Sequence, residues 1–372
     1  MNAVFVMGLT CVQAALRVHD RGKGIWILNG LAIRMAQSLG IHRDGERLGL
    51  PPFQSEMRRR LWWHLLNRDS RAGEDYGLEN VSWQSLSSNV SLPLNIDDTD
   101  IYPDMKDLPD PKNGWTAMTF SLINIELGKS MQNLVSIAAN SSPSAPPDED
   151  ARAGVIKDLS ARIQDYLRYC NPVIPLHRMT LLCSRFLVRK LNFITRLQWS
   201  FLQHTGKRTE FATEENLVEA LEILEPRLFS DDGLLKQFTW ARKAYPQYHV
   251  TMYVLWHLCV KPDGPNVDRA WKAVDIHFNQ ELLDPSTVGF GSKSTVLDAL
   301  KTKAASIRAK HQETRREKMR SNDGSPHHNS GEDSSNDGGL PAYLFEDIGT
   351  VGLDLSMEID DWPDWIASTK CL

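Results

Sequence analysis

Apolar side chains recur along this chain at three- and four-residue steps, the period of a helix with one buried face. Residues 3–16 predict an apolar first helix, closed by the turn Asp20-Arg21-Gly22-Lys23-Gly24. Over about 25–39, Ile25, Leu28, Ala32, Met35, Ala36 and Leu39 form one stripe. Gly40 stands where a left-handed C-terminal cap belongs. A third helix is predicted over about 52–72, with Pro52 in its first turn and Phe53, Met57, Leu61 and Leu65 as its inner face. Gly73 to Asn80 reads as a loop. Pro93 makes Val90 to Ile96 extended, and Asp97 to Pro111 is a polar loop.

The helical period returns at 115–138 and, after the linker Ser141-Ser142-Pro143-Ser144-Ala145-Pro146-Pro147, at about 149–169, 177–203, 213–229, 234–259 and 266–279. Strand alternation is nearly absent, which predicts an all-α, multi-helix fold. Residues 294–320 read as one polar helix carrying Arg315, Arg316, Lys318 and Arg320. Residues 321–339 have the composition of a disordered linker. Residues 340–372 mix acids with Phe345, Trp362 and Trp365.

Composition narrows the function classes. The chain has 372 residues, 41% hydrophobic and 24% charged, with a formal net charge of −5. That balance fits a globular core and argues against nucleic-acid binding by overall positive charge. The five cysteines, Cys11, Cys170, Cys183, Cys259 and Cys371, fall in no CxxC spacing, so no zinc site and no disulfide framework is visible. Cys183 and Cys259 lie in apolar helices and read as small buried hydrophobes. No stretch has the length of a membrane span.

Candidate chemistry is sparse. In Met57-Arg58-Arg59-Arg60-Leu61-Trp62-Trp63-His64 three consecutive arginines cover roughly 200° of helical arc, so they do not make one patch. Arg58 and Arg59 are expected to face outward or pair with acids, while Leu61 and Trp62 pack inward. Asp69 is expected to pair with Arg34 or Arg71. Asp97-Asp98-Thr99-Asp100 could hold magnesium, as in an all-α isoprenoid enzyme. Position 101 is an isoleucine, however, and the segment follows an extended stretch. The competing reading is an Asp-rich turn that caps the next element. No histidine pair has a metal spacing, and no GxSxG, P-loop or GxGxxG occurs, so no catalytic residue or cofactor site is assigned.

Several segments together resemble the fungus-specific transcription factor domain, the middle homology region of six-cysteine zinc binuclear cluster regulators. They are Ala32-Ile33-Arg34-Met35-Ala36-Gln37-Ser38-Leu39-Gly40-Ile41-His42-Arg43-Asp44, then Ser55-Glu56-Met57-Arg58-Arg59-Arg60-Leu61-Trp62-Trp63 with Asp69, then Val90-Ser91-Leu92-Pro93-Leu94-Asn95-Ile96-Asp97-Asp98. Met118 to Ile123 and Tyr169-Cys170-Asn171-Pro172 are similar too. On this resemblance Arg34, His42, Arg58, Arg59, Arg60, Trp62, Trp63, Asp69, Pro93, Asp97 and Asp98 are structural residues of the domain.

The resemblance implies a nuclear transcriptional regulator, often of a metabolic or biosynthetic cluster, with no catalytic residues. Its expected partners are transcription machinery or coactivators, and a second copy or a zinc-cluster relative. Full-length members carry zinc on N-terminal cysteines that have no counterpart here, so DNA contact is expected only indirectly or through an N-terminal domain. On this reading residues 1–290 are the regulatory domain, opening inside it and leaving apolar surface on residues 3–16 unpaired. Residues 291–320 are a basic helix whose Arg315, Arg316, Lys318 and Arg320 could serve nuclear import. Residues 321–339 are a linker, and 340–372 an acidic, aromatic activation segment built on Phe345, Trp362 and Trp365. A headless dimerisation or inhibitor module is the alternative within the family.

Overall fold

The computed structural model describes residues 3–19, 24–76, 89–140, 148–203, 208–225, 232–241, 247–279 and 292–322. Among them are ten α-helices and no strand, as the spacing predicts. They are α1 (Ala3–His19), α2 (Gly24–Ser38), α3 (Pro52–Tyr76), α4 (Thr119–Ala139), α5 (Glu149–Leu167), α6 (Pro175–Gln203), α7 (Glu214–Leu224), α8 (Tyr248–Val260), α9 (Val267–His277) and α10 (Ser292–Asn322).

The first three helices pack in sequence, α1 on α2 and α2 on α3. The end of α2 is a Schellman cap. The Ile41 N–H reaches the Ala36 carbonyl at 2.9 Å and the Gly40 N–H reaches Gln37 at 3.0 Å. Gly40 takes φ 66°, a conformation that any side chain would strain. The cap turns the chain so that Ile41 joins a core with Ala32, Ile33, Ala36, Trp62, Leu65 and Leu66. The inner face of α3 is therefore set by Trp62, Leu65, Leu66 and Asp69 rather than by Phe53 and Met57, which are only half-buried. The helix also runs on to Tyr76, past the predicted loop start at Gly73. On α1, Val6 is buried, while Val4, Phe5 and Val12 are exposed together with Ile27 and Leu31 of α2.

α4 crosses from this first core to the second half, touching α3, α5 and α6. At the start of α5 the Asp148 carboxylate accepts the Asp150 N–H at 3.0 Å, and Thr213 caps α7 by accepting from Asn216 at 3.2 Å. The second core centres on α8, whose Tyr248 to Cys259 are all buried against α6, α7, α9 and α10. A helix apolar on every side belongs in the middle of a domain. The predicted helix over 234–259 is a shorter one. A 3-10 turn covers Lys236–Phe238 and α8 starts only at Tyr248. In the sequence Pro246, a residue type without the N–H that a helix interior needs, comes two positions before α8. α7 likewise ends at Leu224, short of the predicted 229.

Candidate functional site: the clamp and the cavity of helix α3

α3 carries most of the polar chemistry of the first core, on two faces. One face clamps the chain on either side of it. Arg59, almost fully buried, forms a two-point pair with Asp44, Nε to Oδ2 at 3.0 Å and Nη2 to Oδ1 at 2.8 Å, and also reaches Glu46 at 3.0 Å. Burial works against the charge on Asp44. The Arg59 guanidinium and the N–H groups of Ser91 and Glu46 outweigh it and hold the carboxyl well below the usual carboxylate range. Arg58 donates to the Leu39 carbonyl at 2.8 Å, which fastens the end of α2.

Arg60 pairs with the buried Glu56 at 3.0 Å and with Asp98 at 2.7 Å. Burial raises the Glu56 pKa against the opposing pull of Arg60 and the Leu94 N–H. Trp63 Nε1 donates to the Ser91 carbonyl at 2.9 Å, and the His42 ring lies 6.1 Å from that of the fully buried Trp62. The extended segment over 90–96, with Pro93 buried, is thus bound to α3 at Ser91 and Leu94.

The expected pairing of Arg58 and Arg59 with acids holds for Arg59, while Arg58 takes a carbonyl. Asp69 does not meet Arg34, which lies on the exposed side of α2. Its Oδ1 accepts from buried Asn29 at 3.1 Å. The aspartate cluster resolves as a turn. Asp97 and Asp100 form a capping box on the 3-10 turn Asp98–Asp100, and Lys112 Nζ sits 2.9 Å from Asp97 and 2.5 Å from Asp100. Hydrogen bonds from Lys112 lower the pKa of both carboxylates. A lysine holds the place a magnesium ion would need, and the turn is not on a helix, so the isoprenoid-enzyme geometry is not formed.

Among the described residues no zinc cluster is formed either. The described cysteines lie apart, Cys11 on α1, Cys170 beyond α5, Cys183 on α6 and Cys259 on α8, and among the described residues no three His, Cys, Asp or Glu side chains converge as a metal requires. Burial pushes the Cys183 and Cys259 thiols up to about 12, which makes them inert hydrophobes.

The second face of α3 lines a cavity of about 520 Å³ between α1, α3, α4 and Trp240. Met57, Arg60, Leu61, His64, Asn67, Arg68 and Arg71 all face it, a spacing that keeps them on one side of the helix. Arg68 donates to the Thr10 carbonyl at 3.3 Å and Arg71 to Asn124 Oδ1 at 2.9 Å. His64 opens onto the cavity and is exposed. Desolvation and the charge of Arg68 lower its pKa to about 4, so the imidazole is neutral at pH 7. Asn67 Oδ1 is shielded from solvent and finds no hydrogen-bond partner in the protein. Such orphaned groups cost stability and call for an explanation wherever they persist.

Sequence reasoning stopped at the contiguous Arg-Arg-Arg-Leu-Trp-Trp block and missed this stripe. The signal was present as Arg60, His64, Arg68 and Arg71 at steps of four, four and three.

Arg315 and Arg316 are exposed on the last turns of α10, which also carries Lys318 and Arg320. The segment with Phe345, Trp362 and Trp365, and the linker before it from residue 323, lie outside the described residues. Among the described residues no helix is long and apolar enough to cross a membrane.

Residues 6–169 match the fungal specific transcription factor domain. Similar curated proteins include the aurofusarin cluster transcription factor aurR2 of Gibberella zeae, 28% identical over 257 residues, covering 68% of this chain and 38% of that protein. The pyriculol/pyriculariol biosynthesis cluster transcription factor 1 of Pyricularia oryzae is 28% identical over 302 residues, 77% of this chain and 39% of its own length. The transcriptional regulator AacuB of Aspergillus aculeatus is 28% identical over 70% of this chain and 36% of its own. The chain thus spans under two fifths of the length of these relatives. No solved structure matches it. The family and these relatives are transcription factors and regulators, not enzymes.

Proposed function

We propose that this chain, whose residues 6–169 match the fungal specific transcription factor domain, regulates transcription in the nucleus of a fungus, acting on the genes of a biosynthetic cluster. The observation that supports it most is the match over residues 6–169, inside which the signature side chains Arg58, Arg59, Arg60, Trp63 and Asp98 are spent on holding the fold and form no reacting set. The domain acts by contact. Val4, Phe5, Ile27 and Leu31 offer an apolar surface to a second copy or a zinc-cluster relative. Transcription machinery or a coactivator is the partner of residues 340–372, where acids keep Phe345, Trp362 and Trp365 in solution while leaving them able to enter an apolar groove. Arg315, Arg316, Lys318 and Arg320 serve import. DNA is reached indirectly or through a domain N-terminal to this region.

A reporter assay tests this reading. The full chain fused to a foreign DNA-binding domain should activate its reporter, and Trp362→Ala with Trp365→Ala should return expression to the level of that domain alone. A fluorescent fusion should leave the nucleus when Arg315, Arg316, Lys318 and Arg320 are all changed to Ala. Full activation by the tryptophan double variant, or unchanged nuclear signal, would remove the corresponding part.

A further inference from the structure

The net charge of −5 is unevenly placed along the chain. Residues 323–372 hold eleven acidic residues and one basic residue, Lys370, a balance of −10 that leaves +5 on residues 1–322. Almost all of that excess stands on one element. Residues 305–322, the second half of α10, carry six basic residues from Arg308 to Arg320 against Glu313 and Glu317, a balance of +4.

The first half of α10 is packed on the core around α8, with Val296, Leu297, Leu300 and Ala304 at most 2% exposed. Ile307 is the last apolar side chain of the helix to reach that core. From Ala309 to Glu317 every residue is exposed. A short helix that turns no apolar face to its own domain is marginal in water, so this end depends on charge for its support. Two ion pairs supply some of it, Arg308 to Asp268 at 2.6 Å and Arg315 to Asp263 at 3.7 Å. Asp268 is 90% exposed, and Arg315 and Asp263 are each 61% exposed, so water competes for both pairs and another carboxylate can replace either at little cost. Among the described residues no carboxylate pairs with Lys310 or Arg316.

The same helix shows what its cations select. Arg308 pairs with Asp268 and lies over the Trp271 ring, 5.4 Å from its centre, while Lys301 pairs with Asp275 at 2.8 Å and lies 4.2 Å from the centre of the Phe278 ring. Twice, then, a cation of α10 takes a carboxylate together with an aromatic face. Residues 340–372 repeat that combination as Phe345-Glu346, Asp361-Trp362 and Asp364-Trp365.

We propose that residues 340–372 are the partner of this helix end, their acid and aromatic pairs seated on Lys310, Arg315, Arg316, Lys318 and Arg320 of the same chain. Residues 323–339 join the two. Seventeen residues reach at most about 56 Å, and the half-helix is about 27 Å long, so none of it is out of range. So short a connection gives the tail an effective concentration of about millimolar at the helix, an advantage no separate polyanion has. A tail seated there covers the import cations and its own tryptophans at once, so the two signals are presented or withheld together. That consequence rests on the function proposed above; the contact itself does not.

The full chain is treated with a water-soluble carbodiimide, which joins a lysine to a carboxylate only where the two touch, and the joined peptides are read by mass. At about 0.1 M salt Lys310 and Lys318 should be joined to acids of 346–364, and at about 1 M salt, where the screening length falls to roughly 3 Å, the yield should drop about tenfold. Mixing isotope-labelled with unlabelled chains should give these links within one chain. Amide hydrogen exchange is the second readout. Asp360→Asn/Asp361→Asn/Asp364→Asn, all beyond α10, should speed exchange over 309–322 about five- to tenfold and leave Leu297 to Ala304 unchanged. Trp362→Ala/Trp365→Ala should speed it by a smaller factor, about two- to threefold.

Equal exchange over 309–322 in the wild type and the triple variant would overturn the proposal, as would links found only between chains. So would duplex DNA that protects 309–322 equally in both, because the helix would then be open to an outside polyanion whatever the tail carries. A failed reporter or import test with the contact intact would remove the function proposed above and leave the contact, and the reverse result would remove only the contact.

Discussion

Helices α3 and α8 each sit at the middle of a core, and they hold it by opposite means. Around α8 nearly everything is volume. Its residues from Tyr248 to Cys259 are buried, Tyr253 and Trp256 are at most 1% exposed, and the Tyr253 hydroxyl donates to the Phe211 carbonyl at 3.0 Å. Around α3 a smaller apolar cluster built on Trp62, Leu65 and Leu66 is joined by directional bonds from Arg58, Arg59, Arg60 and Trp63 to particular points on the chain. Packing by volume tolerates any side chain of about the right size and shape. Directional locks tolerate few. The match to the transcription factor family covers the locks and ends at residue 169, before α6 and α8.

The largest effect should come from the apolar half. Trp256→Ala deletes a fully buried indole in the middle of α8 and is expected to cost about 3–5 kcal/mol, measured by urea denaturation.

Next comes the buried pair. Arg59→Met strands Asp44 without its guanidinium and should cost about 3 kcal/mol, whereas Arg59→Met with Asp44→Leu should recover more than half of that loss, since both charges are then gone. The pair also carries a pH signature of its own, below the range set by the His257 imidazole of α8, which burial lowers from 6.5 to about 4. The folded pKa of Asp44 lies below its ordinary 3.8, so its stabilisation is complete above about pH 4 and drains away as the pH falls below that. The stability gap between the wild type and Asp44→Asn should therefore narrow on acidification below about pH 4. A gap that is constant with pH would mean that Asp44 is held by packing, as α8 is.

A smaller loss tests how tightly the clamp closes. A Cβ built on Gly45 would lie 2.5 Å from Ser55 Oγ and 2.7 Å from Ser55 Cα, and a backbone atom of α3 cannot step aside cheaply. Gly45→Ala is expected to cost about 2 kcal/mol by the same denaturation assay. Gly233→Ala, which meets nothing within 4 Å, is the control and should lie within about 0.5 kcal/mol of wild type.

Legibility in the sequence followed the same division. Gly40 announced its cap because one residue type fits a left-handed position. The three arginines were readable as structural because a helix cannot turn three successive side chains the same way. Their partners were not, because Asp44 and Leu39 come from a loop whose path the spacing does not fix. Asp69 was expected to meet Arg34 or Arg71, and its bond from Asn29 comes from the crossing of α2 and α3, which the spacing does not show. Pro246 was visible and still overrun, since the apolar density after it masked the break. The cavity was hidden for a different reason. Its residues are one helix face of α3 seen together with α1 and α4, and only their meeting makes a space.

The smallest expected effect asks whether polarity itself, or its burial, makes the first half costly to disturb. Asp148 is an exposed cap on α5, inside the family match, and its carboxylate accepts the Asp150 N–H. Its backbone carbonyl also accepts from Trp199 Nε1 at 3.2 Å, a bond that no side-chain change removes. Asp148→Ala frees one N–H that water can reach, so the loss should be about 1 kcal/mol, and Asp148→Asn, which still offers an acceptor, should recover most of it. Thr213→Ala, which uncaps α7 beside α8 in the same way, should cost a similar amount. Equal losses at the two caps would place the contrast between the halves in what is buried, the Arg59–Asp44 pair against the Trp256 indole. A loss at Asp148 several times that at Thr213 would mean that the whole first half, surface included, works as one polar network.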